Sequence, residues 1–583
     1  MGVPLTASSS EAYDWDNMTL VAVADLDPAE RAAFAVTSRL LSCIVTEALL
    51  PAVYVPTSAA GACGVCVILT ALPSGEDSWR SRPLRREDIF AIVPVHGKPV
   101  LKGDASERGT QVWMLDPLDM LPSIYDAQEF SLGASGLEDL RDAITNTLSS
   151  PPWELGTSFS LNRVCDPLHW WHKFAQTIQI DSDLRANLAE ELLSSYTWQI
   201  VPRQRLEVKG EFEGEMHRLV QVAAEQCKKP IPEVPAGSLI MPVYYLQRAN
   251  IRAKFPDVDF FDDDFSLDAL GQTSLRTVVI PGISDLAIKL AVGIKVSSAL
   301  RTISHFTADV GPRFSTLIIP KLNVDRNILH IESETSSAVY VRDAANRDVA
   351  PDVAKHFTAV IRQQYPAGDD ESVIICAALL DWGHEDAPKG IPVVIHLFEL
   401  YTHEKRVAFF DEYARLLIDA LLPAMLHNGL AFEAHPQNSL LRISRSTRAL
   451  RGFVLRDLGG LRMHAPTLCA STGVDFTFLP EHCVVTDTLA EASKKLYHTL
   501  FHNHLQRLAR LLGLHYNGVA GEILRKHLER NIPRDAWLWK IWMAEDARSV
   551  SGKCLMRMKI QGLYRDSVYE PFPNIIQYRP TEL

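Results

Sequence analysis

The chain has 583 residues, of which 47% are hydrophobic and 22% are charged, as expected for a globular protein with about three subdomains. Its net charge of -13, from 58 basic and 71 acidic residues, argues against a general nucleic-acid-binding protein, because such proteins are usually basic. Any site for a polyanion must therefore be a local basic pocket on an acidic protein.

The nine cysteines are odd in number and irregularly spaced, which is not the pattern of a disulfide framework. Cys63 and Cys66 form a lone CxxC without a second pair, so we interpret the thiols as reduced rather than zinc-bound. No apolar run approaches the roughly 20 residues that span a bilayer, and the N-terminus lacks the pattern of a secretion signal. We therefore expect a cytoplasmic protein with no membrane or nucleic-acid partner.

Helical and strand patterns alternate along the chain. Asp27 and Pro28 form a helix-start signal. Apolar residues at helical spacing predict helices at residues 28–50, 137–149, 185–197, 404–428, 485–513 and 518–530. Strands are predicted within residues 53–115 and, between residues 239 and 400, at Val278-Val279-Ile280, Thr316-Leu317-Ile318-Ile319, Ile328-Leu329-His330-Ile331 and Val373-Ile374-Ile375-Cys376.

Lys289 lies in a segment of strict alternation. Apolar residues at 288, 290, 292, 294 and 296 predict a strand with one apolar face, and Lys289 lies on the other face beside small residues that let a ligand approach. Ser297 or Ser298 would cap a following helix and place Arg301 in its first turn, where backbone N–H groups suit phosphate or carboxylate. The alternative is a solvated strand face with a surface arginine.

Three further groups of polar residues suit a polyanion and its counter-ion. Ser274 and Arg276 share one face before a strand, an arrangement that suits phosphate, although a turn with a surface cation would look the same. Extended backbone would place Glu433, His435 and Gln437 on one face, where they could bind Mg²⁺, phosphate and hydroxyls or form a structural polar cluster. Asp457 before paired glycines indicates either a turn or the completion of a metal or ribose site with Glu433.

These motifs, in this order, resemble those of the siderophore synthetases that work independently of nonribosomal peptide synthetases, the aerobactin-synthetase (IucA/IucC) family. The resemblance covers roughly residues 150–583 and extends more weakly to the N-terminal part. It implies an α+β, hand-like enzyme with a β-rich middle and a helical C-terminal part. The implied division is a thumb-like subdomain at residues 1–150, a β-rich fingers-like subdomain with the ATP and carboxylate motifs at 151–400, and a mainly helical palm-like subdomain at 401–583.

The resemblance also implies a reaction. ATP activates a carboxylic acid, usually citrate, as an acyl-adenylate with release of pyrophosphate, and an amine or alcohol then forms an amide or ester. ATP and Mg²⁺ are the implied cofactors. The implied partners are a polycarboxylic acid and an amine, amino acid or amino alcohol, and a homodimer is an expectation from the resemblance alone.

Roles are carried over from the resemblance residue by residue. The catalytic residues would be Arg276, Lys289, Arg301 and His435, and Mg²⁺ would bind Glu433 and Asp457. The acid substrate would contact His169, Lys173, Ser274 and Arg301. ATP would contact Ser274, Arg276, Lys289, Ser297, Glu433, His435, Gln437, Asn438 and Asp457. The cations would offset the repulsion that arises when a carboxylate approaches the α-phosphate.

The chain departs from the family's pattern in two motifs. In the stretch where the family carries two histidines, a lysine and an arginine, this chain keeps His169 and Lys173 but has Asp166 and Ala175. Pro436 stands where the family usually has glycine, which rigidifies that turn. Besides a citrate-type ligase of siderophore or related secondary metabolism, two alternatives stay open: a ligase for another natural-product acid, and a non-catalytic member that only binds ligand.

Overall fold

The computed structural model forms two compact units, each built from separate chain segments. The first unit comprises Met1–Ala189, Ala378–Arg415 and Phe501–Leu583, and the second comprises Glu190–Ala377 and Leu416–Leu500. The predicted α+β class is confirmed. The three-part division at residues 1–150, 151–400 and 401–583 stays a prediction.

The structure describes residues 22, 23, 25–57, 64–71, 82–102, 109–129, 139–149, 155, 156, 159–180, 206–209, 215–230, 241–244, 247–255, 267–272, 274, 276–280, 283–293, 295, 296, 299–341, 348–381, 390–478, 484–561, 563 and 568–579.

A seven-stranded antiparallel sheet lies at the centre of the first unit. From one edge to the other, its strands are Val100–Lys102, Thr110–Met114, Ala52–Pro56, Gly64–Leu69, Ile89–Val95, Tyr125–Glu129 and Phe159–Arg163. The two strands Gly64–Leu69 and Ile89–Val95 are buried at every residue, which explains their nearly unbroken apolar sequences. The prediction of strands within residues 53–115 is confirmed.

The first long helix of the first unit, Pro28–Thr46, starts where the sequence predicts. The Asp27 carboxylate accepts hydrogen bonds from the backbone N–H groups of Ala29 and Glu30, at 2.8 and 2.9 Å, and Pro28 occupies the first turn. This helix ends at Thr46, before the predicted residue 50, because Ala48 has a positive φ of 52°. The other helices are Asp139–Leu148, Pro167–Thr177, Val393–Phe398, Val519–Asn531, Trp537–Trp542, Leu555–Ile560 and Gln506–Leu511, and strands Ser549–Lys553 and Tyr569–Pro573 form a hairpin.

The second unit contains two larger sheets. A seven-stranded antiparallel sheet has the order Glu334–Val339, Thr358–Gln363, Ile283–Leu290, Thr277–Ile280, Leu267–Gly271, Leu206–Lys209 and Val243–Tyr244. A four-stranded sheet has the order Leu329–Ile331, Leu450–Leu455, Ser439–Ser444 and Glu371–Ile375. Short pairs join Lys295–Val296 to Ala299–Leu300 and Leu430–Ala431 to Arg462–Met463. The three predicted strands near residues 278–280, 328–331 and 373–376 are confirmed.

The prediction of a strand at Thr316-Leu317-Ile318-Ile319 is wrong. These residues belong to the end of helix His305–Leu317 and to the 3-10 turn Ile319–Lys321. A short apolar run fits one face of a helix as well as a strand, and the Ser304 side chain caps this helix. The other helices of the unit are Glu215–Cys227, Arg248–Lys254, Pro351–Ala354, Ala465–Thr472 and Leu489–Tyr497.

Three helical segments contribute residues to both units: His403–Asn428, Cys376–Leu379 and the π-helix His498–Leu505. The predicted helices at 137–149, 404–428 and 518–530 are confirmed, and the one at 485–513 is divided into α, π and α segments. The helix predicted at residues 185–197 lies outside the described residues. Within the described ranges, no helix combines the length and the apolar character needed to cross a membrane.

His502 of the π-helix is buried in the first unit. Its Nε2 lies 3.2 Å from the carbonyl oxygen of Pro573, so this nitrogen carries the proton and donates. Burial lowers the pKa of His502 to about 4, whereas an unperturbed histidine titrates near 6.5. The folded protein therefore holds this imidazole in its neutral form at neutral pH.

We predict that His502 makes the free energy of unfolding fall as the pH drops from about 6.5 to about 4. In this window the unfolded chain binds a proton that the folded state excludes, and the shift corresponds to about 3 kcal/mol. Urea unfolding at several pH values should give a shallower dependence for His502→Gln, which can still donate to Pro573. The exposed His305→Gln serves as control, and equal slopes for His502→Gln and wild type would contradict the prediction.

Candidate active site

Lys289 is buried in the middle of the second unit's seven-stranded sheet. Its strand, Ile283–Leu290, lies between two others, and Thr277 and Val360 are its direct cross-strand neighbours. Only 1% of the Lys289 side chain is exposed, so the alternative of a solvated strand face is wrong at this residue. The ammonium is instead paired with two acidic groups, because its Nζ lies 2.8 Å from Asp457 Oδ1 and 3.5 Å from Glu334 Oε1.

The Asp457 carboxylate is surrounded by three cations. Besides Lys289, the Nη2 atoms of Arg276 and Arg362 lie 3.8 and 3.9 Å from Asp457 Oδ2. Burial alone would raise the pKa of Asp457, but the attraction of Lys289, Arg276 and Arg362 outweighs it and holds the pKa well below its ordinary value. This carboxylate is therefore ionised throughout the physiological pH range.

The backbone at Asp457 explains why paired glycines follow it. Asp457 has φ 70° and ψ 91°, and its Oδ1 accepts a hydrogen bond from the Gly459 N–H at 3.1 Å, so it caps the 3-10 turn Leu458–Gly460. A β-carbon at Gly460 would lie 1.7 Å from Glu433 Oε2. Glycine is needed there because the Glu433 carboxylate occupies the space of a side chain, and this contact joins the two acidic motifs.

Glu433 has its own cation. Lys495 of helix Leu489–Tyr497 donates to Glu433 Oε1 at 2.6 Å. Burial would raise the pKa of Glu433, but the nearby charges of Lys495 and His435 outweigh this effect, and the pKa lies below its ordinary value. In the π-helix that follows, the Thr499 hydroxyl accepts from the Ala434 N–H at 3.2 Å and fixes the backbone next to Glu433.

The segment from His435 to Asn438 forms a turn. The His435 carbonyl accepts from the N–H groups of Asn438 and Ser439 at 2.9 and 3.2 Å, so the prediction of one extended face through Glu433, His435 and Gln437 is wrong. Pro436 fits this turn because its fixed φ suits it and no hydrogen bond from its nitrogen is required. The Arg456 guanidinium donates to the Gln437 carbonyl at 3.0 Å and holds the turn against the neighbouring motif.

Arg276 and Ser274 both hold local backbone. Arg276 Nη1 donates to the Thr302 carbonyl at 2.9 Å, and the Ser274 hydroxyl accepts from the Thr277 N–H at 3.2 Å. Arg276 thereby faces Asp457 with one nitrogen and anchors the segment that carries Arg301 with another. Ser297 and Ser298 lie outside the described residues.

The predicted helix start beside Arg301 is wrong. The Lys289 strand ends at Leu290, Ala299–Leu300 is a strand paired with Lys295–Val296, and the next helix begins only at His305. Arg301 instead follows this strand pair, and its carbonyl accepts from the N–H groups of Val292 and Gly293 at 2.8 and 3.1 Å. Arg301 is thus near the Lys289 strand in the fold, without the N-terminal helix dipole that the sequence predicted.

His169 and Lys173 form a separate polar group in the first unit. His169 Nε2 lies 2.7 Å from Asp126 Oδ2, and the Lys173 ammonium donates to Asp126 Oδ1, to the Phe90 carbonyl at 2.7 Å and to the Ile89 carbonyl at 3.4 Å. Burial lowers the pKa of Lys173, although Asp126 opposes this shift. Since all three ammonium hydrogens have protein acceptors, His169 is the more accessible of the two predicted substrate contacts.

Asp166, which departs from the family's pattern in this motif, has a structural role. Its carboxylate accepts from the Leu168 N–H at 2.9 Å and caps helix Pro167–Thr177, the helix that carries His169 and Lys173. In this chain, the residue that replaces the family's first histidine therefore stabilises a helix start.

Glu433 and Asp457 are the predicted ligands of Mg²⁺. Mg²⁺ in nucleotide sites commonly binds one or two protein carboxylates together with phosphate oxygens. The contact of Glu433 with Gly460, three residues after Asp457, brings both acidic motifs to one turn, which fits such an ion. In the part of the chain that the structure describes, no group of three or more His, Cys, Asp or Glu residues could hold a metal by itself. The phosphates would have to supply the remaining ligands.

Sequence reasoning missed Glu334, Arg362 and Lys495. Glu334 and Arg362 are 0% and 2% exposed and pair at 3.3 Å, and Lys495 is the partner of Glu433. Arg362 gave one signal in the sequence, since it is a charged residue directly after the apolar run Ala359-Val360-Ile361. Lys495 lies in an amphipathic helix and gave none.

Comparisons with known proteins bear on the family of the chain and on its fold. The IucA / IucC family profile matches residues 169–381, and the profile of the ferric iron reductase FhuF-like transporter matches residues 407–559. The NRPS-independent siderophore synthetase rfs of Rhizopus delemar is 35% identical over 94% of this chain and 97% of its own length. D-ornithine–citrate ligase of Staphylococcus aureus is 22% identical over 42% of this chain and 39% of its own. ATP-bound aerobactin synthetase IucA of Klebsiella pneumoniae has a TM-score of 0.60 at 13% identity, covering 94% of this chain and 99% of IucA.

The fold is that of the aerobactin synthetases of known structure. The chain belongs to the family of NRPS-independent siderophore synthetases, as its likeness to rfs over nearly the whole of both chains shows. It is therefore a ligase of siderophore biosynthesis, and the predicted family and class of function are confirmed.

We predict that Gly460→Ala impairs the site because its β-carbon would displace the Glu433 carboxylate from Lys495. ATP affinity, measured by calorimetry with Mg²⁺ present, should fall roughly 10-fold or more, in line with the loss of one preorganised group. Gly368→Ala is the matched control, since a β-carbon there meets nothing within 4 Å. Unchanged affinity in Gly460→Ala would show that the position of Glu433 does not matter for nucleotide binding.

Proposed function

We propose that this chain uses ATP and Mg²⁺ to activate a polycarboxylic acid and then joins it to an amine or an alcohol. A carboxylate oxygen of the acid attacks the α-phosphorus, the bond from that phosphorus to the bridging oxygen breaks, and pyrophosphate leaves. The nucleophile's nitrogen or oxygen then attacks the acyl carbon and loses its proton to solvent, and AMP departs with the former carboxylate oxygen.

The buried cluster of Lys289, Arg276 and Asp457 is the observation that carries this proposal. The first step brings a carboxylate towards a polyphosphate, so two like charges must approach each other. Lys289 and Arg276 would offset this repulsion from fixed positions, and a site shielded from water strengthens their effect. We assign Arg301 to the same task, and His435 to stabilising charge next to the phosphates.

Mg²⁺ would neutralise part of the phosphate charge and would be held by Glu433 and Asp457. Ser274, Ser297, Gln437 and Asn438 complete the proposed ATP contacts. Asp457 is paired with Lys289 and Glu433 with Lys495, so a cation that can also face phosphate stands beside each carboxylate. These pairs compensate the buried charges.

We propose citrate or a related polycarboxylate as the acid, supported by the citrate ligase among the relatives. His169 is the proposed acid contact in the first unit, with Lys173 and Asp126 holding it in place. Because Asp166 caps its helix where the family has its first histidine, a ligase for a different natural-product acid is the alternative. A polyamine, hydroxylated amine, amino acid or amino alcohol would be the nucleophile, and the protein would work in the cytoplasm, as a homodimer if it follows its family.

We predict acid-dependent release of pyrophosphate from ATP and Mg²⁺ in the presence of a panel of carboxylic acids with hydroxylamine as nucleophile. Release with citrate or one related acid would establish adenylation and name the acid. Release with an unrelated acid would favour the second type of ligase. Nucleotide binding without release for any acid would favour the non-catalytic member.

The same assay tests the assigned roles. Lys289→Met, Arg301→Ala and His435→Ala should each lower the rate of pyrophosphate release on the order of 100-fold, because each removes a fixed charge or donor from the reacting phosphates. Circular dichroism and thermal unfolding establish that the variants are folded. Full activity in a folded Arg301→Ala or His435→Ala variant would show that the assignment is wrong for that residue.

A further inference from the structure

Glu334 and Arg362 face each other on neighbouring strands of the second unit's seven-stranded sheet. They are direct cross-strand partners, and Arg362 Nη2 lies 3.3 Å from Glu334 Oε1. The side chains of Glu334 and Arg362 are 0% and 2% exposed. This is a fully buried ion pair, beneath the residues assigned to the reaction.

The pair contacts both central members of the proposed site. Glu334 Oε1 is 3.5 Å from Lys289 Nζ, and Arg362 Nη2 is 3.9 Å from Asp457 Oδ2. Lys289 therefore lies between two carboxylates, and Asp457 lies between Lys289 and Arg362. The four groups form a closed set of two cations and two anions in which each charge has two neighbours of opposite sign.

Helix His305–Leu317 covers this set on the Glu334 side. A β-carbon at Gly311 would lie 2.3 Å from Glu334 Oε2, so glycine makes room for the carboxylate under the helix. The Ser315 hydroxyl accepts from the Glu334 N–H at 2.9 Å and fixes the strand against the helix. The ion pair is thus held rigidly and shielded from water.

Stability alone does not explain this pair. Replacing a buried ion pair with groups of similar shape is often neutral or stabilising, because the charges lose their hydration on folding. Two of its polar atoms, Glu334 Oε2 and Arg362 Nε, also have no hydrogen-bond partner among the residues that the structure describes. Because the pair adds little to stability and contacts Lys289 and Asp457, we infer that its role is to position these two residues.

We propose that Glu334 and Arg362 are positioning residues that fix the Lys289 ammonium and the Asp457 carboxylate for nucleotide binding and adenylation. The inference rests on the proposed function, because it assigns the pair's effect to that reaction. When the phosphates attract the Lys289 ammonium away from Asp457, Glu334 keeps that ammonium in position. Arg362 keeps the Asp457 carboxylate in position at the same time. Neither residue needs to touch ATP or the acid.

The test separates stability from positioning by removing both charges together. Glu334→Gln/Arg362→Met leaves no unpaired charge from this pair, so its thermal unfolding midpoint should stay close to that of wild type. Its rate of pyrophosphate release should nevertheless fall roughly 10- to 100-fold, since small displacements of catalytic groups have effects of this size. The single variants, which each leave one buried charge uncompensated, should lose both stability and activity.

Arg218 and Asp285 provide a matched control. They form a similar arginine–carboxylate pair, with two contacts of 2.8 Å, and Asp285 lies on the same strand as Lys289. Their side chains are 46% and 51% exposed, so Arg218→Met/Asp285→Asn should change neither the unfolding midpoint nor the rate.

A stable double variant with the wild-type rate would overturn the inference. If the double variant does not fold, Arg362→Lys replaces it. This change keeps the charge but not the guanidinium, and a wild-type rate in it would equally overturn the inference.

If wild type binds ATP but releases no pyrophosphate with any acid, the proposed reaction fails. Positioning is then judged from the affinity for ATP with Mg²⁺, which should be at least several-fold weaker in the double variant than in wild type and control.

Discussion

A lysine ammonium with almost no exposure to solvent, at Lys289, sets the requirements for the rest of the site. A buried charge without compensation costs several kcal/mol, so Lys289 needs a carboxylate beside it, and Asp457 and Glu334 provide two. Asp457 reaches Lys289 from a turn with a positive φ, and the glycine at the end of that turn leaves room for Glu433. One buried cation thereby connects two strands, a turn and a second acidic motif.

The sequence predicted the elements that depend on local pattern. Strand Thr277–Ile280, helix His403–Asn428 and the Asp27 cap all follow from periodicity or from a start signal within a few residues. The same local reasoning failed at residues 316–319 and beside Arg301. A short apolar run there fitted a helix as well as a strand, and serines near a strand pair resembled a helix cap.

The charged partners were predictable only where a motif carries them. Lys289 and Asp457 are 168 residues apart, and Glu433 and Lys495 are 62 apart, so no window along the chain contains either pair. The family resemblance supplied Lys289, Asp457 and Glu433, whereas Glu334, Arg362 and Lys495 emerged only from the three-dimensional arrangement. Similarly, the resemblance selected Lys173, but only the fold shows that its ammonium is fully occupied by Asp126 and two carbonyls.

The discontinuity of the second unit has a consequence for how the protein is made on the ribosome. Arg276, Lys289, Glu334 and Arg362 lie in the segment that is synthesised first, whereas Glu433, Asp457 and Lys495 lie in Leu416–Leu500. Until that later segment leaves the exit tunnel, the nascent chain carries three cations and only Glu334 to compensate them within this set. The charge cluster therefore closes late, and a message truncated before Asp457 yields a polypeptide whose sheet contains an excess of buried positive charge. The neutral cluster therefore forms only after both segments of the second unit have been made.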